Sequence, residues 1–477
     1  MSVTRNTLSL LIGSIAQKAI AFGYFALVAR FLGVADTGKY FFALSWTLIF
    51  SVVTDLGLTS VLIREVAKKP EGTARHLGQV MTMKLPLVVL AGISAIVGAY
   101  LTGVRGLTLG LISFGTLVLM LDAVSLTFYG VLRGHHLLKY ESLGLVVGQS
   151  LTLVLGATVL LLHLPMILLM PALIAGSLWN AGASVFFVWR RLGVKPRFGF
   201  DRAFAWTLAK TALPFALAGG FVKIYTSADV ILLNRFGGDV AAGLYSVPYK
   251  LTFAFQFIPM AFTAALYPAM SHAFVTDERR LGGLFAKAQA YLMLIVAPVV
   301  AGMMALAPEL VRLVYGKAFA ASALPLQLLI PVLVFIFLDF PVGSMLNACN
   351  HQVTQTKLMG AATLVSVIIN LTLIPTYGVM AAVVASLCSH AILYVGGLLA
   401  VGRFLKWPVA VFASSAARTA LAAGLMGLAV VLTKSHVPLV VALALGAVTY
   451  PVLVLAFRAF SIPEARALLG RAFKRAV

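Results

Sequence analysis

The sequence predicts an all-α, polytopic membrane protein: 14 transmembrane helices, forming two pseudo-symmetric six-helix bundles followed by two C-terminal helices. Three observations predict it. First, 61% of the 477 residues are hydrophobic and 10% are charged, with a mean hydropathy of +1.02. Soluble chains average about 25% charged residues, so this one lacks the polar side chains to face water all round. Second, the apolar stretches are long and unbroken. That suits helices, which satisfy their own backbone groups, whereas a β-barrel would show short alternating strands. Third, one motif recurs in both halves of the chain. The composition excludes a cytosolic enzyme, a disordered chain and a nucleic-acid-binding domain.

A membrane crossing takes about 20 residues in a helix. Apolar stretches near 8–30, 39–62, 79–102, 107–132, 142–163, 165–189, 207–234, 241–272, 287–307, 322–347, 358–375, 378–402, 409–432 and 438–457 meet that length. The longest link, Arg190 to Trp206, is too short for a folded domain. With the N-terminus in the cytoplasm, 25 Lys and Arg fall in inner segments and seven in outer ones, the asymmetry of the positive-inside rule. The net charge of +22 is then mostly topology, with some attraction to anionic membrane lipids, and does not imply nucleic acid. Both termini are expected in the cytoplasm, with the chain in the cytoplasmic (inner) membrane. Lys18 interrupts what would be a signal-peptide core, so the first span reads as a retained helix. Cys349 and Cys388 lie in or near spans without metal-ligand neighbours, so no disulfide framework, metal or cofactor is expected.

The recurring motif is R-F-x-G-x4-G-x-Y, from Arg30 through Gly33 and Gly38 to Tyr40 and again from Arg235 through Gly238 and Gly243 to Tyr245. Leu121-Asp122 likewise matches Leu338-Asp339. Six spans separate the copies, an even number, so the halves share one orientation. Such parallel repeats are related by a pseudo-two-fold axis along the membrane normal. The expected organisation is an N-terminal lobe over 1–190, a cytoplasmic linker over 191–206, a C-terminal lobe over 207–403, and the last two helices with a basic tail over 404–477. Two facing lobes suggest a transporter that alternates access around a site between the repeats. Pro214 with Gly219-Gly220, Pro259 and Pro268 supply bending points.

Ionisable groups inside a bilayer are costly and turn toward protein or water. Lys18 and Lys223 each precede the repeated Arg-Phe by twelve residues, which places both near the midplane at 1.5 Å per residue. Related by the axis, they would face each other and repel unless an anion lay between them. A diphosphate meets that need. The alternative is that each lysine snorkels or pairs within its own lobe. Lys250, Gln17 and Tyr225 complete the candidate cavity lining. Asp229 and Lys250 lie at similar depth and could form an ion pair or serve substrate or proton. Asp55 and Lys84 could pair near the inner face. Asp122 and Asp339 occupy equivalent positions and read first as helix-packing acids, with ion coupling as the alternative. Arg418 could snorkel or meet a head group. Catalytic signatures are missing: there is no G-x4-G-K-[ST] and no H-E-x-x-H, so no catalytic residues are assigned and ATP is not the energy source. His135-His136 reads as a solvated loop.

Several segments carry a resemblance: Ala29 to Gly33 with Gly38 and Tyr40, Thr54 to Leu58 running into Arg64-Glu65, Tyr225 to Asp229 with Gly243 to Tyr245, and Leu346 to Ala348. Together they resemble the Wzx-type polysaccharide flippases of the multidrug/oligosaccharidyl-lipid/polysaccharide exporter superfamily. The resemblance implies two six-helix bundles forming a V around a central cavity. The implied activity is translocation of an undecaprenyl-diphosphate-linked oligosaccharide for cell-surface polysaccharide biosynthesis, alongside polysaccharide-assembly proteins. It also implies a groove for the lipid tail at the last two helices, where Arg418 lies. Lipid II flippases carry arginines in the first-helix region where this chain has Lys18, so that substrate is not assigned. A cation-coupled multidrug exporter of the same superfamily is the alternative. A membrane glycosyltransferase or polymerase would need larger outer loops bearing acids.

Overall fold

Where the hydropathy suggests two spans and a connection, the first helix simply continues: α1 runs from Val3 to Asp55. Its one break is at Gly33, with φ 76° and ψ −177°, a conformation open to a residue without Cβ. The computed structural model describes residues 3–199 and 201–459, and every regular element among them is helical. After α1 come α2 (Leu58–Lys68), α3 (Thr73–Leu101), α4 (Gly106–Gly134), α5 (Leu138–Leu161) and α6 (Leu169–Leu192). The second half holds α7 (Arg202–Phe253), α8 (Phe257–Thr276), α9 (Glu278–Tyr315), α10 (Ala323–Leu329), α11 (Val332–Ala348), α12 (Gln352–Tyr377) and α13 (Val379–Gly402). α14 (Val409–Thr433) and α15 (Leu439–Ala456) follow. The expected basic tail at Arg466, Arg471, Lys474 and Arg475 lies outside the described residues.

Eleven described helices are long and apolar enough to cross a membrane, or twelve if the pair flanking Pro331, bent by 46°, is one span. The difference from the expected 14 has a physical cause. Two of the eleven are 44 and 60 residues long, two to three times the length of one crossing. They contain the breaks at Gly33 and at Gly238, the latter with φ 73° and ψ −173°. Two further departures stem from local backbone. The expected second span, 39–62, ends at Asp55 because Leu56 and Gly57 both take positive φ, 42° and 76°. α2 then starts afresh as an 11-residue helix burying Leu58, Val61, Leu62 and Val66. The expected eighth span is likewise divided, by a 3-10 turn at Ala254–Gln256.

By its internal contacts the chain forms two compact units, Met1–Ser246 with Thr363–Ala382, and Val247–Ala362 with Val383–Val477. This division cuts across the expected lobes, because most of α7 stays with the first unit. Gly57 shows why: a Cβ there would lie 2.6 Å from the Ala212 carbonyl oxygen, so α7 is seated directly on the α1–α2 turn. In the first unit α1 packs along α5, α4 and α3, and α5 along α6. Close approach depends on glycine: a Cβ on Gly148 would meet the Gly176 carbonyl at 2.9 Å, the tight helix contact that small residues permit in bilayers. Tyr24, Val28, Tyr40, Leu111, Ile112 and Leu169 form one buried core, and Leu62, Leu77, Val80, Leu132 and Val188 another. In the second unit α9 is the central helix, packed by α14, α11, α10 and α8, with α15 against α14. Lys434 ties α14 to α9 through Glu309, at 3.1 Å, and the Ala305 carbonyl, at 2.8 Å.

Candidate functional site

The two motif copies form matching corners. Gly33 and Gly238 break their helices with nearly the same φ and ψ. Five residues on, Gly38 and Gly243 bring the corners together. A Cβ on Gly38 would sit 1.8 Å from the Asp239 carbonyl oxygen, and one on Gly243 would sit 2.0 Å from that of Val34. Each corner is also stapled internally by its motif tyrosine. The Tyr40 hydroxyl reaches the Tyr24 hydroxyl at 3.4 Å, and the Tyr245 hydroxyl donates to Asp229 Oδ2 at 2.5 Å. Both bonds span sixteen residues, so Asp229 occupies the place that Tyr24 holds in the first copy. Its other oxygen accepts from the Val230 amide at 2.8 Å. Asp229 is thereby a structural staple. The repeated tyrosine was the available signal for this.

α1, α2, α4 and α7 enclose a cavity of about 390 Å³, lined by Ser51, Thr54, Asp55, Ser60, Asp122 and Lys223 among apolar neighbours. Lys223 is half-buried and its charge acts on Asp122. Asp122 is also within hydrogen-bonding reach of Ser177 on α6. The lining residue Asp55 is bound to Lys84, which is 2% exposed and has a partner for each ammonium proton: Asp55 Oδ1 at 2.7 Å, Thr59 Oγ1 at 3.0 Å and Thr127 Oγ1 at 2.7 Å. Asp55 also accepts from the Thr59 amide at 3.2 Å and from its hydroxyl. This knot joins α1, α2, α3 and α4, and it leaves Asp55 committed to Lys84.

Asp122 also lines a second cavity of about 330 Å³ between α1, α4, α5 and α6. Among apolar neighbours its wall carries Gln17, Gln149, Thr152, Asn180 and Tyr129, whose hydroxyl donates to Asn180 Oδ1 at 3.2 Å. Arg133 closes one end, held by Glu141 in a two-pronged pair with its Nε at 2.8 Å. Arg133, Glu141, Asn180 and Ser177 escaped sequence reasoning. They lie at or near span ends or are uncharged, so neither charge nor hydropathy marks them.

The remaining candidates line neither of these two cavities. Lys18 is exposed on α1, and Tyr225 is half-buried on α7. Lys250 ends α7 and belongs to the second unit. Asp339 on α11 has one buried carboxylate oxygen without a hydrogen-bond partner. It does not share the surroundings of Asp122, despite their equivalent positions in the repeat. Arg418 is exposed on α14, its guanidinium donating to the Arg458 carbonyl at 3.3 Å.

Long apolar helices, a duplicated glycine corner and charged cavities within a bundle define a multi-pass membrane protein of transporter architecture. The chain belongs to the polysaccharide biosynthesis protein family, whose model matches residues 3–274. Among curated relatives it is 23% identical to the "probable low-salt glycan biosynthesis flippase Agl15" of Haloferax volcanii over 403 residues, 82% of each chain. Among solved structures it is similar in fold to the lipid II flippase MurJ in an inward closed conformation. That match has TM-score 0.72 and 14% identity, covering 94% of this chain and 98% of that one. An inward-facing multidrug resistance MATE family transporter of the MOP superfamily aligns with TM-score 0.65 and 18% identity, over 83% of this chain and 98% of that one.

Proposed function

We propose that the chain is a flippase that moves a lipid-linked oligosaccharide, carried on an undecaprenyl-type diphosphate, from the inner to the outer leaflet of the cytoplasmic membrane. Both termini are then cytoplasmic, the two repeats act as the moving lobes, and polysaccharide-assembly proteins supply and receive the glycan. The observation that carries this is the pairing of Lys223 with a hydroxyl-rich wall of Ser51, Thr54 and Ser60 in one cavity. An ammonium group suits phosphate, and hydroxyls suit sugar. The Agl15 relative, named as a glycan biosynthesis flippase, supports the same reading.

Each crossing needs the cavity to open on alternate sides. In this reading the Gly38–Gly243 contact seals the outer end, and outward opening parts it. Gln17, Lys18, Tyr225 and Lys250 are proposed to meet the head group along its path. Drug export is the weaker reading. A cationic drug needs an available acid or an aromatic face, and here Asp55 is bound to Lys84 while Asp122 faces Lys223.

The test is genetic complementation. Cells lacking the gene should accumulate lipid-linked glycan on the inner leaflet. Wild-type protein should clear it, and Lys223→Ala should clear it at least tenfold more slowly. Full export by Lys223→Ala would remove the lysine from the site. Continued glycan display without the gene would reject flipping altogether.

A further inference from the structure

A third cavity, of about 600 Å³, lies wholly within the second unit. It is built where α14 begins and α15 ends, with α9 packed against α14. Glycine sets the geometry: a Cβ on Gly282 would lie 2.5 Å from the Lys406 carbonyl oxygen. The bare α9 backbone therefore lets the segment leading into α14 lie flat against it, and Pro408 then starts α14 at the cavity's edge. Trp407 packs edge-on against Phe285 of α9 at 5.0 Å between centroids and secures the arrangement.

Three cations line this cavity, Lys287, Arg418 and Arg458, and no acid does. None of the three pairs with a carboxylate among the described residues. The Arg418 guanidinium donates to the backbone carbonyl of Arg458 at 3.3 Å, and both residues line the same cavity. Like charges lining one cavity, with no counter-charge among the described residues, call for an anion. Hydrocarbon surroundings narrow the choice. From this cavity two apolar stripes run along the helices at helical spacing, Leu421, Leu425 and Leu428 on α14 and Val448, Val452 and Leu455 on α15, all exposed. The ligand is thus an amphiphile with an anionic head and long tails. Apart from Ser414, Ser415 and Tyr291, the lining offers no neutral hydrogen-bonding side chains, few for reading a glycan.

We propose that this cavity binds the phosphate of a resident anionic glycerophospholipid of the inner leaflet, with its acyl chains lying on the α14 and α15 stripes. The site is separate from the Asp122–Lys223 cavities and stands whether or not the chain flips a glycan. Basic residues near a membrane surface contribute about 1 kcal/mol each toward anionic lipid, so three should make binding roughly a hundredfold tighter.

Native mass spectrometry of the purified full-length protein tests this, with phosphatidylglycerol, phosphatidylcholine, glycerol 1-phosphate and undecaprenyl diphosphate as probes. One phosphatidylglycerol should stay bound under conditions that strip phosphatidylcholine. The triple variant Lys287→Gln, Arg418→Gln, Arg458→Gln should bind it on the order of a hundredfold more weakly. Charge-keeping Lys287→Arg, Arg418→Lys, Arg458→Lys should retain it, which separates charge from general damage. Equal retention of the two phospholipids, or undiminished binding by the triple Gln variant, would overturn the proposal. Displacement of phosphatidylglycerol by undecaprenyl diphosphate at equal concentration would assign the cavity to the transported lipid instead. Displacement by glycerol 1-phosphate at equal concentration would show that the tails contribute nothing, and would also overturn it.

Discussion

Placing a methyl group at the corner contact tests whether it is a seal. In Gly38→Ala the new Cβ would start 1.8 Å from the Asp239 carbonyl oxygen and 2.9 Å from the Gly243 nitrogen. Both neighbours are backbone, so no side chain can rotate away. Reaching ordinary contact at about 3.4 Å requires the corners to withdraw by roughly 1.5 Å. Overpacking of this kind costs about 1–3 kcal/mol, which shifts the balance between joined and parted corners roughly 5- to 150-fold. Gly243→Ala attacks the same contact from the other side, 2.0 Å from the Val34 carbonyl oxygen. The double variant should therefore cost less than the sum of the singles. Spin labels at the exposed positions Ala35 and Val240 would report the separation by pulsed electron resonance, and thermal melting the stability. Each single variant should add a longer distance component and lower the melting midpoint. Alanine at both positions with an unchanged distance distribution and midpoint would refute the seal.

Other consequences follow from partners elsewhere. Lys84→Ala strands Asp55 inside the bundle and should destabilise the fold by about 3–5 kcal/mol; a Lys84→Met, Asp55→Leu double variant should recover much of that loss in a melting assay. Asp339→Leu removes a buried, unpartnered carboxylate oxygen and should leave stability unchanged or raise it, by about 1–3 kcal/mol at most, measured the same way. His135, outside the spans, is held below its usual 6.5 by burial and by the neighbouring His136. Thr73 already donates to the Pro70 carbonyl at 2.6 Å, so the His135 Nε2–H donates to Thr73 Oγ1 at 2.9 Å. The folded chain thus favours the neutral ring. Its contribution is complete above about pH 6.5 and is lost as pH falls through the lower folded-state value, a loss that His135→Gln should flatten in melting curves taken across that range.

The spans were legible because hydrocarbon demands about 20 apolar residues whatever the fold. The corners were legible too, because Gly33, Gly38 and Tyr40 recur at one spacing. Helix interruptions inside apolar stretches were not. Leu56 is an ordinary apolar residue within an apolar stretch, and its positive φ accompanies the packing of α2 onto α3 and α4, which hydropathy does not mark. Side-chain partners depended on distance along the chain. Asp55 and Lys84 are only 29 residues apart in sequence, whereas Asp122 and Lys223 stand about a hundred residues apart and meet only through packing. The tie between Asp229 and Tyr245 crosses a helix break, where spacing rules for a continuous helix do not apply. The basic cavity beside α15 was hidden for a similar reason: Lys287 is on α9, Arg418 on α14 and Arg458 in the turn just past α15, and only Arg418 drew notice from its position within a span.

The repeat is copied more faithfully in backbone than in side chains. Both corners share their glycine break and tyrosine staple, yet the acid at one repeated position faces Lys223 and Ser177 while its counterpart has a carboxylate oxygen with no partner. A shared backbone lets the two repeats move alike, whereas substrate recognition requires charge, and the charge is unequally placed. Lys223 lines a cavity; Lys18, its counterpart, is exposed on α1 and lines neither cavity of the first unit. If charge inside a cavity binds the diphosphate, Lys223→Ala should slow glycan export more than Lys18→Ala, and Lys223→Arg should keep most of it. Neutralising the α1 lysine should chiefly alter encounter, and its effect should shrink as salt screens it. Equal and salt-insensitive losses from the two alanine variants would instead mean that the lysines act as a matched pair on one anion.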